Sequence, residues 1–123
     1  MKYLILIYSN PQSRAIWEGM SNEQRGEGLD YYAGLNEALA ASGELLASEA
    51  LADPSRALRV SVRDGGAHTT DGPFAEVKEH LAGFFLVECG GVERAVEIAA
   101  KIPEAAFGLV EVRPVRQLSD LLR

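Results

Sequence analysis

Residues 3–8 read Tyr3-Leu4-Ile5-Leu6-Ile7-Tyr8 and run directly into Ser9-Asn10-Pro11. An unbroken apolar and aromatic run stopped by an Asn-Pro turn signal describes a buried strand. Successive side chains of a strand point to opposite faces. Tyr3, Ile5 and Ile7 therefore share one face, and Leu4, Leu6 and Tyr8 the other. A strand apolar on both faces needs cover on both. The run is shorter than the apolar core of about 7–15 residues in a secretory leader, and no small-residue cleavage site directly follows it. No stretch approaches the ~20 apolar residues of a membrane span. The simplest reading is a cytoplasmic protein.

Outward from this strand, residues 9–20 read as a loop with one helical turn around Trp17. Ser21 with Gln24 three residues on is a capping-box pattern, in which each side chain satisfies an otherwise unpaired backbone N–H. The helix it opens carries Leu29, Tyr32, Leu35 and Leu39 at helical spacing and ends at Ser42-Gly43, where glycine can turn left-handed. Residues 44–51 suit a short strand, and Asp53-Pro54 is a break. Leu58, Val60 and Val62 alternate with Arg59, Ser61 and Arg63, the pattern of a half-exposed strand. Asp64-Gly65-Gly66 turns it into a hairpin with residues 67–70. Asp71-Gly72-Pro73 is a second break, and residues 75–80 form a charged helical turn or loop. Residues 84–89 are a buried strand. After Gly90-Gly91, a helix with Val92, Val96, Ala99 and Ile102 on one face runs to Pro103, which stops it. In the last strand, 109–115, Val110 and Val112 face one way and Glu111 and Arg113 the other. Residues 118–122 form a short amphipathic tail.

No linker, repeat or low-complexity tract divides the chain, so residues 1–123 read as one domain. The order of elements predicts an α+β, ferredoxin-like sandwich: an antiparallel sheet with two helices on one face. The other face would hold Leu4, Leu6 or Tyr8 with Phe84 or Phe85. Left bare, it would expose an apolar patch of roughly several hundred Å², rare in a monomer. A homodimer around a shared cavity is the expected remedy.

Composition agrees with one soluble globular domain. The 123 residues are 47% hydrophobic and 24% charged, which excludes a disordered or fibrous chain. Lys+Arg number 12 against 18 Asp+Glu, for a net charge of −6. That balance disfavours nucleic acid and anionic membrane as partners. With one Cys and two His, neither an intrachain disulfide nor a multi-cysteine or polyhistidine metal site is available. No metal and no cofactor is expected.

The segment Thr70-Asp71-Gly72-Pro73-Phe74-Ala75-Glu76-Val77-Lys78-Glu79-His80-Leu81-Ala82-Gly83-Phe84-Phe85-Leu86 resembles the signature of the DGPF proteins, relatives of the YciI-like (YCII-related) proteins. Residues 1–8, Ile102-Pro103 and residues 110–115 extend the resemblance over nearly the whole chain. It implies a dimeric ferredoxin-like fold of the dimeric α/β barrel type, related to cofactor-independent isomerases and oxygenases. Bacterial members are often encoded beside extracytoplasmic-function sigma factors, which points to regulation or stress response. Two departures concern the site. YciI proteins are thought to use a His–Asp pair, and neither histidine here matches that position. The common DGPF pattern has Gln where this chain has His80.

The candidate site residues cluster on the motif. Asp71-Gly72-Pro73 is explained as a rigid corner, since Asp caps turns, Gly permits positive φ and Pro fixes φ near −65°. The alternative holds the Asp71 carboxylate at the mouth of the cavity, as a base or a ligand for a polar group. Glu76, Lys78 and Glu79 are either a solvated loop or a carboxylate cluster able to shuttle protons near neutral pH. His80 would meet Glu76 if the segment were helical, giving an acid/base pair; a surface or dimer contact is the plainer reading, and His68 beside its hairpin reads as exposed. Glu111 and Arg113 serve a cross-strand ion pair or protect a sheet edge, or Arg113 lines the cavity and binds a substrate carboxylate. Tyr8 and Phe74 complete the candidate ligand-binding set of Glu76, Lys78 and Arg113, beside Asp71, Glu79 and His80 as candidate catalytic groups. Tyr3, Tyr8, Tyr31, Tyr32 and Trp17 could wall a pocket for an aromatic substrate, though core or interface packing explains most of them, and Cys89 reads as a buried inert thiol. The leading reading is a small-molecule-binding homodimer with cofactor-free acid/base chemistry. The competing one is a non-enzymatic regulatory or scaffold protein with a protein partner.

Overall fold

The computed structural model describes residues 1–122. In chain order it contains β1 (Lys2–Ser9), α1 (Pro11–Glu18), α2 (Asn22–Ala41), β2 (Leu45–Ala50), β3 (Leu58–Arg63), β4 (Gly66–Asp71), β5 (His80–Glu88), α3 (Val92–Ala100) and β6 (Val110–Pro114). The main sheet is antiparallel with strand order β2-β5-β1-β6, while β3 and β4 form a separate two-stranded sheet. This is an α+β architecture consistent with a ferredoxin-like fold, with the β3–β4 hairpin inserted between its second and third sheet strands.

α1 is longer than the single helical turn expected. The Asn10 side chain accepts from the Ser13 N–H at 2.8 Å, and the Ser13 hydroxyl oxygen accepts from the Asn10 N–H at 2.9 Å. Pro11 follows at the first helical position, where its missing N–H costs nothing. Asn-Pro thus ends the strand and also starts a helix. The capping box of α2 forms as the spacing predicts: Gln24 N–H donates to Ser21 Oγ at 3.1 Å and Ser21 N–H to Gln24 Oε1 at 2.9 Å. At its other end Gly43 takes φ of +81°. The N–H groups of Glu44 and Gly43 then reach back to the Leu39 and Ala40 carbonyls at 3.0 and 3.1 Å, which closes the helix.

The core lies between the sheet and two helices. Tyr3, Ile5 and Ile7 of β1 and Phe85 and Val87 of β5 meet Leu35 and Leu39 of α2, and Ala95, Ile98 and Ala99 of α3 with Ile102. Two expectations shift here. Leu29 stands exposed at the start of the α2 ridge, and α3 buries Ala95, Ile98, Ala99 and Ile102 while Val92 and Val96 face outward. The buried residues form an i, i+3, i+4, i+7 stripe, and its two alanines let the helix lie close to the sheet. Tyr31 and Tyr32 brace the segment after α3: Tyr31 donates to the Lys101 carbonyl at 2.6 Å, and the Tyr32 hydroxyl donates to Glu104.

Residues paired across a sheet share a face. Leu4 lies between Leu86 and Arg113, and Leu6 between Phe84 and Glu111. These residues point away from the core, on a face that receives neither α2 nor α3. Leu6 is 8% exposed, with Leu4, Phe84 and Leu86 half-buried around it.

A bidentate ion pair ties α3 to the turn before β2. Glu44 accepts from Arg94 Nε and Nη2, both at 2.8 Å, and from the Ser42 hydroxyl at 2.8 Å. Arg94, then Ser42, lower the Glu44 carboxyl from 4.5 to about 2. A carboxylate whose folded pKa is depressed adds stability that is complete above its unfolded value and disappears as pH falls through its folded one. The difference in thermal midpoint between the native chain and Glu44→Gln is therefore expected to be constant above about pH 5.5 and to shrink between pH 4.5 and about 2. A pH-independent difference measured by circular dichroism would contradict this.

Candidate functional site

A cleft of about 1000 Å³ opens at the end of β1. Its walls are the 76–79 segment, the start of α1 and the chain at 108–111. Tyr8 stands in it, beside a bulge of β5: Ile7 pairs with Gly83 but Tyr8 pairs with Leu81, leaving Ala82 over. A bulge of this kind bends a strand and re-aims the chain beside it. Here it leads residues 76–79 past the Tyr8 side chain, with Glu76, Lys78 and Glu79 lining the cleft.

The Tyr8 hydroxyl donates to Glu111 Oε1 at 3.0 Å. Burial, then the hydrogen bond to Glu111 and its charge, hold this phenol above its usual range; Glu79 adds to the effect and Arg113 opposes it. Tyr8 is therefore a neutral donor at physiological pH, set among carboxylates. Three acidic side chains, Glu76, Glu79 and Glu111, face one cation, Lys78, in the cleft. Such a site suits hydroxyl, amine or protonated groups of a ligand, with carboxylates placed to accept a proton. Among the described residues, no group of three or more His, Cys, Asp and Glu side chains is arranged to hold a metal ion.

The other candidates lie elsewhere. Asp71 ends β4 opposite Leu58, is exposed, and does not line the cleft. Gly72 takes φ of +83° and its N–H donates to the Ala57 carbonyl at 2.7 Å. The Asp-Gly-Pro corner thus closes the base of the hairpin, the role its residue types explain on their own. Phe74 continues the clasp, with the Arg59 guanidinium 4.7 Å from its ring centroid.

Residues 75–79 form turns rather than a helix, so helical spacing does not bring Glu76 onto His80. His80 instead begins β5 opposite Ser9. The Asp53 carboxyl is held below its usual range by the hydrogen bonds to the Ser55 side chain and backbone, with Arg14 and then His80 adding smaller contributions. His68 is exposed opposite Ser61. Arg113 shares the open face with Glu111, but Glu111 is bound by Tyr8 and no ion pair joins the two.

Among the described aromatic residues, only Tyr8 lines the cleft. Tyr3 is in the core, Tyr32 stacks on Phe85, and Trp17 lies under Arg25. Cys89 is a half-buried free thiol whose Sγ lies 3.5 Å from the Gly91 carbonyl oxygen. Asn10, Pro11 and Gln12 also line the cleft. The Asn cap followed by Pro was the sequence signal that could have placed them there, at a helix start beside Tyr8.

The sequence pattern of the YCII-related domain matches residues 1–119. The chain belongs to the YCII-related domain family. It is also similar to an uncharacterized protein of Rhizobium meliloti (strain 1021), 28% identical over 117 residues that span 94% of this chain and 92% of the relative. The matched span takes in every part of the cleft, from Tyr8 through residues 76–79 to Glu111. Among the described residues, no helix is long and apolar enough to cross a membrane.

Proposed function

We propose that this YCII-related chain acts as a cytoplasmic homodimer that binds a small molecule in the Tyr8 cleft. There it moves a proton without a cofactor, in the manner of cofactor-independent isomerases and oxygenases. Glu79 accepts the proton. Tyr8, kept neutral by burial and by Glu111, turns its single hydroxyl proton from Glu111 to the ligand oxygen or nitrogen on which charge develops. Lys78 and Arg113 balance the carboxylates and orient the ligand. Asp71 and His80, outside the cleft, hold the hairpin base and the first residue of β5. The observation that carries this reading is the Tyr8 hydroxyl on Glu111 at 3.0 Å, under the influence of Glu79 and Arg113, in a cleft wide enough for a small molecule.

The test is a thermal-shift panel of cyclic and aromatic alcohols, amines and acids. A ligand at about 100 times its Kd adds about 2.7 kcal/mol to stability. The expected result is a hit that binds Tyr8→Phe and Glu79→Gln at least about tenfold more weakly, a loss of about 1.4 kcal/mol, while both variants keep the native melting temperature without ligand. A panel that shifts nothing, or that shifts both variants as it shifts the native chain, overturns the reading.

A second reading, a regulatory or scaffold protein acting through a protein partner, draws support from the hairpin. Leu58, Val60 and Val62 are exposed along β3. In that case variants of the hairpin abolish function and variants of the cleft leave it intact.

A further inference from the structure

One face of the β3–β4 hairpin is cationic. Arg59, Ser61 and Arg63 alternate with the apolar residues of β3, and the register sets His68 opposite Ser61 and Thr70 opposite Arg59. These five share a face on which no carboxylate of the hairpin stands. Asp71 pairs with Leu58 on the other face, and Asp64 lies in the turn at φ 51°. Among the described residues, neither arginine has an ion-pair partner.

Arg59 is nevertheless held in place. Its guanidinium lies 4.7 Å from the Phe74 ring centroid, and its Nε is buried without an acceptor. Its Nη atoms, equally without partners, are not buried. Stacking on a ring orients a guanidinium without neutralising it. A buried donor left unsatisfied is costly. The cost is understandable where the side chain is fixed to meet an acceptor that arrives from outside.

Ser61 is the centre of this face. Arg59 and Arg63 lie two residues to either side, about 6–7 Å along the strand, within reach of an arginine side chain. His68 is its cross-strand neighbour, with Cα atoms about 4.5–5.5 Å apart. Two guanidiniums, an imidazole and the hydroxyls of Ser61 and Thr70 thus surround one point. A carboxylate offers two oxygens in one plane, which a single guanidinium fork already fills. A phosphomonoester offers three oxygens and nearly two charges around a tetrahedral centre, and so takes donors from several sides.

We propose that the cationic face of the hairpin binds the phosphoryl group of a phosphomonoester above Ser61. Arg59 supplies a fixed guanidinium and Arg63 a mobile one, with His68, Ser61 and Thr70 as the remaining donors. The site is separate from the Tyr8 cleft, whose walls include no residue of β3 or β4, and it does not depend on the function proposed there.

Amide NMR of the intact chain, titrated with phenyl phosphate at constant ionic strength, tests this. Saturable shifts are expected at residues 59–63 and 68–70, with benzoate bound about tenfold more weakly or worse. Arg63 is exposed and has no partner to lose, so Arg63→Gln keeps the fold and is expected to weaken binding about fivefold or more. Arg59→Lys keeps the charge, loses the planar fork and is expected to weaken it about threefold. Asp64→Asn tolerates the left-handed turn, removes the nearest carboxylate and is expected to tighten binding about twofold. Shifts that never saturate overturn the proposal, as does binding that Arg63→Gln and Asp64→Asn leave unchanged. Equal affinity for benzoate also overturns it and makes the face a docking surface for acidic groups in general, such as those of an acidic protein segment.

Discussion

Replacing Phe85 with alanine is expected to remove about 3–5 kcal/mol of folding stability and to lower the thermal midpoint by roughly 10–20 °C. Phe85 is 1% exposed in the middle of β5, paired with Ile5 on one side and Ser48 on the other. Its ring stacks on Tyr32 at 6.4 Å between centroids and 11° between planes. The cavity left by alanine has little room to collapse. Backbone ladders on both sides fix the strand, and the Tyr32 hydroxyl is tied to Glu104. Loss of a ring from a rigid site costs the transfer energy and the cavity together. Urea unfolding measures the difference directly. Phe85→Leu keeps most of the volume and is expected to lose less than half as much. A loss below about 1 kcal/mol for alanine would show that the sheet closes over the gap, contrary to this packing.

The strands were legible because their signals are local. β1 and β5 carry enough apolar residues to force burial whatever surrounds them, and the Asp64-Gly65 turn specifies its hairpin through backbone conformation alone. The Ser21 and Gln24 capping box and the Gly43 stop are local in the same sense. The features that sequence spacing left open depend on contacts made across the chain. The valines and alanines of α3 lie on neighbouring stripes of one helix, and only the approach of the sheet selects the alanine stripe. Convergence at the candidate site is also non-local. Tyr8 and Glu111 are distant in sequence and meet because β1 and β6 are neighbours. Glu76, Lys78 and Glu79 line the same cleft from the turns that lead into β5. Asp71, the most conspicuous residue of the motif, stands at the hairpin base instead, where turn chemistry accounts for it.

Gly83, next to the bulge of β5 and closely approached by β2, is the position where one added methyl group should affect the fold most. A Cβ on Gly83 would lie 2.8 Å from the Glu49 carbonyl oxygen and 3.5 Å from the Ala50 Cα. Both are backbone atoms of β2, so no side chain can rotate away. Relief requires β2 and β5 to separate where Leu51 N–H donates to the Ala82 carbonyl at 2.8 Å. Gly83→Ala is therefore expected to lose about 2–3 kcal/mol, and Gly83→Val more. Gly34→Ala provides the contrast. Gly34 lies in the exposed body of α2 with nothing within 4 Å of an added Cβ, and alanine there should raise stability by about 0.5–1 kcal/mol. Hydrogen exchange distinguishes a local wedge from general weakening. In Gly83→Ala the amide of Leu51, which donates to the Ala82 carbonyl, should lose more protection than those of Ile5 and Val87, because the separation starts where β2 approaches Gly83. Uniform loss across all three would mean that the close approach of β2 is relieved elsewhere.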